Sequence, residues 1–396
     1  MKQKSINYKY YIISSLLGIF VSLFQLTAQT KKIELKGTII DKSQITIPYA
    51  SVSIVSKSRG TSSTEDGEFS LQVSNSELKD TLTISSLGFK STRIQVEKFM
   101  NLKDKKIILE ESAIMMDEVQ LLSAKTYVLN ALKKVKENTL SSTHVLEILL
   151  RRATTEGGTS KFFVENYLKY LDRGPAYGLG RLQVTQARKS ADYRVWKSKD
   201  WTHWINYMVQ LNPLRPVDSQ HRRNLKKFNW KRTGNSSYEG EDVLIVTGQN
   251  PKIKWEKITF YIGIDTHKIY KIERGRTLYL YKNHKSGKLV LNYFKHEWVL
   301  QNEKVPSEYR NTIANRTSYK VEGSVYSVHT EKDKRRIRDY GIDLDMGLLD
   351  LPYNPEFWNN LSLPPDTKFY KKIKSEIEGL YGVPLETQFK LVNKKN

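Results

Sequence analysis

The sequence predicts a mainly-β protein, in which a small β-sandwich precedes a larger, curved antiparallel sheet (half-barrel-like) carrying a few helices. Three observations predict it. Short apolar–polar alternations recur from about residue 33 to residue 330, and a period of two marks a half-buried strand. Polar turns rich in Gly, Asp, Asn and Ser separate these runs. Between the two strand-rich stretches, residues 124–138 carry a helical period instead, with Val128, Leu129, Leu132 and Val135 on one face and lysines over much of the other.

Composition supports folded cores. The chain has 396 residues, 39% hydrophobic and 11% aromatic, with only 21 glycines and 11 prolines, which excludes a disordered or low-complexity chain. That length suits two or three domains. There is no cysteine. Disulfides, thiolate metal sites, a cysteine nucleophile and a lipidated cysteine are therefore excluded.

The first 28 residues read as an export leader. Lys2, Lys4 and Lys9 precede an apolar run from Tyr11 to Leu26, and Leu26-Thr27-Ala28 offers cleavage after Ala28. The run is short for a membrane span and is broken by Ser14, Ser15, Ser22 and Gln25. No transmembrane span is expected once the leader is removed. The leader holds three lysines and no acidic residue, so its loss takes the net charge from +23 to +20. An exported chain this basic is attracted to anionic lipid, lipopolysaccharide or acidic glycan, whereas nucleic acid is not expected as a partner.

The sandwich is expected over residues 31–111. Ile33–Ile39, Ala50–Ile54, Phe69–Val73, Leu82–Ile84, Ile94–Val96 and Lys106–Leu109 alternate as strands. Four motifs lie in order along this stretch: Gly37-Thr38-Ile39-Ile40-Asp41; Ile47-Pro48-Tyr49-Ala50-Ser51-Val52; the hairpin from Gly60 to Leu71 around Glu65-Asp66-Gly67-Glu68; and Leu82-Thr83-Ile84-Ser85-Ser86-Leu87-Gly88-Phe89. Together they resemble the carboxypeptidase regulatory-like family of prealbumin- or immunoglobulin-like seven-stranded sandwiches. Thr64 stands where that family usually has Asp, and Thr also makes side-chain hydrogen bonds in turns. The resemblance implies a non-catalytic module that accompanies other domains, including peptidases and TonB-dependent outer-membrane receptors.

Residues 112–125 read as a join, and Met116–Leu121 resembles a segment that often follows this module. Residues 126–350 then hold the helix and the curved sheet. Tyr238–Val246, Lys257–Ile262, Leu278–Tyr281, Leu289–Trp298 and Tyr319–Val328 read as strands, and Gly263–Glu273 resembles a hairpin of envelope proteins that carry the same sandwich. This pattern resembles the shape of periplasmic lipoprotein carriers. Residues 351–396 form a C-terminal extension with a short helix at Ser375–Leu380. Asn354–Trp358 and Pro384–Phe389 resemble the closing segments of envelope proteins built on the same sandwich.

Few constellations carry chemistry. His144-Val145-Leu146-Glu147 has a zinc-peptidase spacing, with His267 or His284 as a distant third ligand, but on a strand positions three apart point to opposite faces. His203, His221, His296 and His329 stand singly. Asp343-Leu344-Asp345 has too few oxygen donors for a calcium loop, and no G-x-S-x-G is present. Glu239 and Glu241, two apart, would share a strand face. No catalytic residue, metal or cofactor is assigned.

The most unusual stretch runs from Tyr193 to Trp230. Trp201, Trp204 and Tyr207 recur every three residues, and Arg222, Arg223, Lys226 and Lys227 follow. One reading makes these aromatics a cap over the concave sheet. The other makes the stretch a binding lip, with rings on an acyl chain or sugar and cations on phosphate or carboxylate. The expectation is a non-catalytic exported protein of the periplasm or outer-membrane periphery, binding an envelope protein, a receptor or an amphiphile. A lipid or lipopolysaccharide carrier is the alternative, and it requires a sizeable apolar cavity under the sheet. A hydrolase is the third reading and requires convergent carboxylates or histidines in a cleft.

Overall fold

A computed structural model describes residues 32–112, 122–178, 180–195, 211–215, 224–301, 306–311, 316–338, 349 and 351–392. Its first seven strands are β1 (Lys32–Ile40), β2 (Ser51–Ile54), β3 (Arg59–Ser62), β4 (Glu68–Ser74), β5 (Thr81–Ser85), β6 (Thr92–Gln95) and β7 (Lys106–Ile108). They form two sheets, β4-β1-β7 and β3-β2-β5-β6. Leu35, Ile39, Val52, Ile54, Phe69, Leu71, Leu82 and Ile84 fill the space between them. These are the inward positions of the alternating runs, so the period of two has become a sandwich core.

Local chemistry sets the turns. Thr64 Oγ1 accepts from the Asp66 amide at 3.3 Å, standing in for the usual Asp. Gly67 has φ +77°, and a Cβ there would meet Thr46 and the Ile39 carbonyl oxygen within 3 Å. Val96 does not extend β6. It opens helix α1 (Val96–Met100), and Val96 and Phe99, three residues apart, turn into the sandwich core.

Helix α2 (Ala124–Asn138) follows, with Ser123 as N-cap accepting from the Thr126 amide. The buried stripe is Tyr127, Val128, Ala131 and Val135, rotated from the expected one, so that Leu129 is only half-buried. Ten strands make the large sheet: β8 (His144–Glu156), β9 (Thr159–Asp172), β10 (Arg181–Lys189), β11 (Asn229–Tyr238), β12 (Glu241–Gln249), β13 (Lys257–Gly263), β14 (Ile269–Arg274), β15 (Thr277–Asn283), β16 (Leu289–Gln301) and β17 (Arg316–His329). Their spatial order is β10-β9-β8-β17-β16-β15-β14-β13-β12-β11, and every pairing is antiparallel. The sheet curls into a half-barrel, and α2 packs on β11 and β13 in its concavity, within one apolar core that includes Leu146, Ile148, Leu168, Phe260 and Ile272.

The run Tyr238–Val246 is two strands. A two-residue turn divides it, with Glu239 at φ 50° and Gly240 at φ 88°, the pair of positive values that a tight hairpin requires. Glu239 thus sits in the turn, and it does not share a strand face with Glu241.

The outer face of β8–β10 is covered by the C-terminal helices α3 (Pro355–Asn360), α4 (Lys368–Tyr381) and α5 (Leu385–Val392). Helix α4 is longer than the Ser375–Leu380 segment expected, because Tyr370, Ile373 and Ile377 extend its apolar stripe onto Ala153 and Phe163. The sandwich joins the half-barrel at β17, where Ser327 pairs with Arg59 of β3. Among the described residues no helix is long and apolar enough to cross a membrane.

Candidate functional site

Between the outward face of the sandwich sheet β3-β2-β5-β6 and strands β14–β16 lies a cleft of about 660 Å³. The register opposes Ser51 to Ser85 and Ser53 to Thr83, so a row of hydroxyls faces the half-barrel while Val52 and Ile84 face the sandwich core. Tyr49 leans across from the sandwich and stacks on Tyr293 at 4.8 Å, next to Leu278 and Leu280. Tyr49, Ser51, Ser85, Tyr238, Tyr270, Tyr281 and Asn292 all contribute to the lining.

Most polar groups here are engaged. Tyr270 donates to Glu241 Oε2 at 2.5 Å, and Asn212 donates to the Tyr281 hydroxyl at 2.6 Å. Burial pushes the Tyr281 phenol up to about 12, so it stays neutral. Asn292 is buried; its Nδ2 donates to Ser62 Oγ at 2.7 Å while its Oδ1 has no hydrogen-bond partner. An unmet acceptor in a lined cleft is a ready contact for a ligand donor. Lys295, 5.4 Å above the Tyr49 ring, with Lys271 and Arg276, adds positive charge.

The expected binding lip can be placed only in part. Trp201, Trp204, Tyr207, Arg222 and Arg223 lie outside the described residues, as do His203, His221, Met116–Leu121, Asp343 and Asp345. Lys226 and Lys227 are exposed on a turn. Beside them Phe228 and Trp230 turn inward, with Trp230 stacked on Phe260 at 5.4 Å and its indole N–H on the Leu225 carbonyl. These two aromatics belong to the core of the half-barrel.

The candidate peptidase pair separates. His144 is buried beside Asp172 and Arg215, with Nδ1 2.7 Å from the Ser142 carbonyl, and burial lowers its pKa. Asp172 holds Arg215 in a two-pronged pair at 2.9 and 2.6 Å. Glu147 faces the other way, where Tyr167, Ser327 and His329 reach it. Burial pushes Glu147 up, but hydrogen bonds from His329 and Ser327 more than offset this and hold it at about 2. No group of three His, Asp or Glu side chains among the described residues could hold a metal ion.

That second cluster was not foreseen. Ser327 Oγ lies 2.5 Å from Glu147 Oε2 and 3.0 Å from His329 Nε2. The signal was faint: two positions on one face of β17, paired to β8 by a register that sequence does not display. It does not form a hydrolytic triad. The carboxylate meets the same His329 Nε2, at 3.3 Å, whereas a triad places the carboxylate on Nδ1 and the nucleophile on Nε2.

Glu165, a buried acid on the outer face, is structural. Glu165 accepts from Arg151 Nε at 2.7 Å and Arg188 Nε at 2.5 Å, under the C-terminal helices. Burial raises its pKa, and the two arginines outweigh that and bring it to about 2.

Comparison with known proteins adds a family. No curated protein sequence matches the chain. Among solved structures, a putative outer membrane lipoprotein-sorting protein domain from Vibrio parahaemolyticus aligns at 9% identity and TM-score 0.28, over 52% of this chain and 95% of that one. A DUF1329 family protein from Desulfovibrio piger aligns at 10% identity and TM-score 0.26, over 53% and 95%. The MucA/MucB complex from Pseudomonas aeruginosa aligns at 9% identity and TM-score 0.19, over 54% and 61%. The CarboxypepD_reg-like domain model matches residues 35–121. That span covers all four motifs and the strands β2 to β7, and the N-terminal sandwich of this chain is therefore a CarboxypepD_reg-like domain.

Proposed function

We propose that this chain is a non-catalytic exported envelope protein that binds an envelope protein or an amphiphile at the junction of its sandwich and half-barrel. The junction cleft carries this reading: about 660 Å³ lined by tyrosines, hydroxyls and cations, with the unmet Asn292 acceptor inside it. Among the described residues the carboxylates with the largest burial, Glu165 and Asp172, are committed to arginine pairs, which leaves them no free role in acid–base chemistry. The leader at residues 1–28 and the charge of +23 support export and an anionic envelope partner. In this reading Trp201, Trp204, Tyr207, Arg222, Arg223, Lys226 and Lys227 form a second contact surface.

A carrier cavity beneath the sheet finds less support. The concave face is occupied by α2, Phe228 and Trp230, which pack directly on the strands. Three outcomes are decisive when the protein is isolated from its envelope and extracted with organic solvent. A defined lipid at near-unit ratio, detected by mass spectrometry and lost in Ser86→Trp, which fills the junction cleft, establishes an amphiphile site. No lipid, with partner crosslinks abolished by Ser86→Trp, establishes a protein-docking cleft. Lipid and crosslinks both unchanged in that variant would sink the junction as the binding site.

A further inference from the structure

A second cleft, of about 510 Å³, opens between the sandwich and the end of β15, and its chemistry differs from that of the junction cleft. Among the residues that line it Val55 is the sole aliphatic one, and no aromatic ring is present. Ser53 stands opposite Thr83, and Thr83 opposite Arg93, so hydroxyls and a guanidinium project from one face of the sheet. Nothing here suits an acyl chain; the walls suit a polar, hydrogen-bonding ligand.

Three polar groups in this cleft lack partners. Lys282 is only 7% exposed, yet among the described residues no carboxylate or other acceptor meets its ammonium. Burial alone acts on it and lowers its pKa to about 8. Oδ2 of Asp80 and Oγ of Ser91 are buried and have no hydrogen-bond partner either. Glu239, also in the lining, is engaged by Asn283 at 2.7 Å. Unmet groups of both kinds in one opening define a ligand by complementarity. The ammonium calls for an anion. The Asp80 oxygen calls for a hydrogen-bond donor; inorganic phosphate brings only its own O–H together with negative charge that Asp80 repels, whereas a sugar supplies several neutral hydroxyls.

We propose that this cleft binds a phosphorylated sugar, its phosphate seated on Lys282 and its hydroxyls on Asp80, Ser91 and the Ser53–Thr83 row. Exposed Lys79 and Arg93 at the cleft draw the phosphate in. The ligand is either a free sugar phosphate or the phosphorylated head of a glycolipid, which present the same groups. The site adds to the junction reading and does not depend on it.

Calorimetric titration of the purified full-length chain tests this with glucose 1-phosphate, glucose and inorganic phosphate. Glucose 1-phosphate should bind roughly tenfold or more tightly than either control, since each control lacks one half of the recognition. Lys282→Met should weaken glucose 1-phosphate binding at least about tenfold, the range of one buried charge-assisted contact. Asp80→Asn should weaken it while leaving inorganic phosphate no weaker. Thermal melting confirms that both variants fold. Vesicles carrying a phosphorylated glycolipid separate the sources. Sedimentation with them, reversed by glucose 1-phosphate, assigns a lipid headgroup, whereas binding of the free sugar phosphate alone assigns a soluble ligand. No saturation at millimolar glucose 1-phosphate, or unchanged binding by Lys282→Met, overturns the site. Neither result bears on lipid or crosslinks at the junction cleft, which are read separately.

Discussion

Two buried charges show opposite solutions to the same problem. Removing an ion from water is expensive, and Glu165 offsets that with two arginines and good geometry. Glu165→Gln leaves Arg188 without its carboxylate and Arg151 with only the longer pair to Asp366, and a loss of about 3–5 kcal/mol is expected in urea unfolding. The acid limb of stability should change as well. The folded-state pKa of Glu165 lies at about 2, below its ordinary value of 4.5. Its contribution is therefore complete above pH 4.5 and is lost as pH falls toward 2, a slope that the Gln variant should flatten. Lys282 has no such offset. Its folded-state pKa of about 8 lies below the ordinary 10.5, so ionised Lys282 destabilises the fold at neutral pH. Lys282→Met should raise stability at pH 7 by up to about 3 kcal/mol, at about 1.4 kcal/mol per pKa unit. That gain should fade as pH rises from 8 to 10.5; a gain independent of pH would show that charge burial is not its cause. A ligand anion seated on Lys282 would supply the offset that the fold itself does not.

Elements fold here by local rules and then depend on what covers them. The turn at Thr64–Gly67, which carries the chain from β3 in one sandwich sheet to β4 in the other where a hairpin was expected, and the hairpin turn at Glu239-Gly240 are set by their own residues. Gly240→Ala has free space around its Cβ, so only backbone strain opposes it, and a loss of about 1 kcal/mol in melting experiments is expected. Helix α4 is the opposite case. Its Tyr370, Ile373 and Ile377 need Ala153 and Phe163 of the sheet, and the sheet needs them to keep Glu165 and Arg151 dry. Ile377→Ala, at a fully buried site, should cost about 2–5 kcal/mol in urea unfolding. A much smaller loss would mean that the C-terminal helices cover the sheet only loosely.

At the scale of the molecule, sandwich, half-barrel and tail share residues. Lys320 of β17 reaches Glu65 of the sandwich at 2.9 Å and lies 4.6 Å from the ring centroid of Phe369 in α4. Asn292 bonds Ser62, Gly88 donates to the Ser237 carbonyl, and Ser70 meets Ser362. A module resembling an add-on domain is thus tied into the body. One calorimetric transition is the expected outcome, with calorimetric and van't Hoff enthalpies equal. Two resolved transitions would show that the sandwich is an independent folding unit and that these contacts are weak.

What the sequence determined by itself is the material of near neighbours. Alternation marked the strands, Ala124–Asn138 its helix, and the Gly37 and Gly60–Leu71 motifs the CarboxypepD_reg-like domain, because turns, caps and periods are set over a few residues. Only the tertiary structure decided which polar residues became buried. Lys282 reads as an ordinary outward lysine until the sandwich sheet lies over it. Ser327, His329 and Glu147 meet through a strand register, and Arg151, Glu165 and Arg188 are sealed by helices more than 150 residues later in the chain. Burial and partnering are properties of long-range packing, and the two clefts exist where the sandwich and half-barrel surfaces meet, a juxtaposition no local pattern encodes.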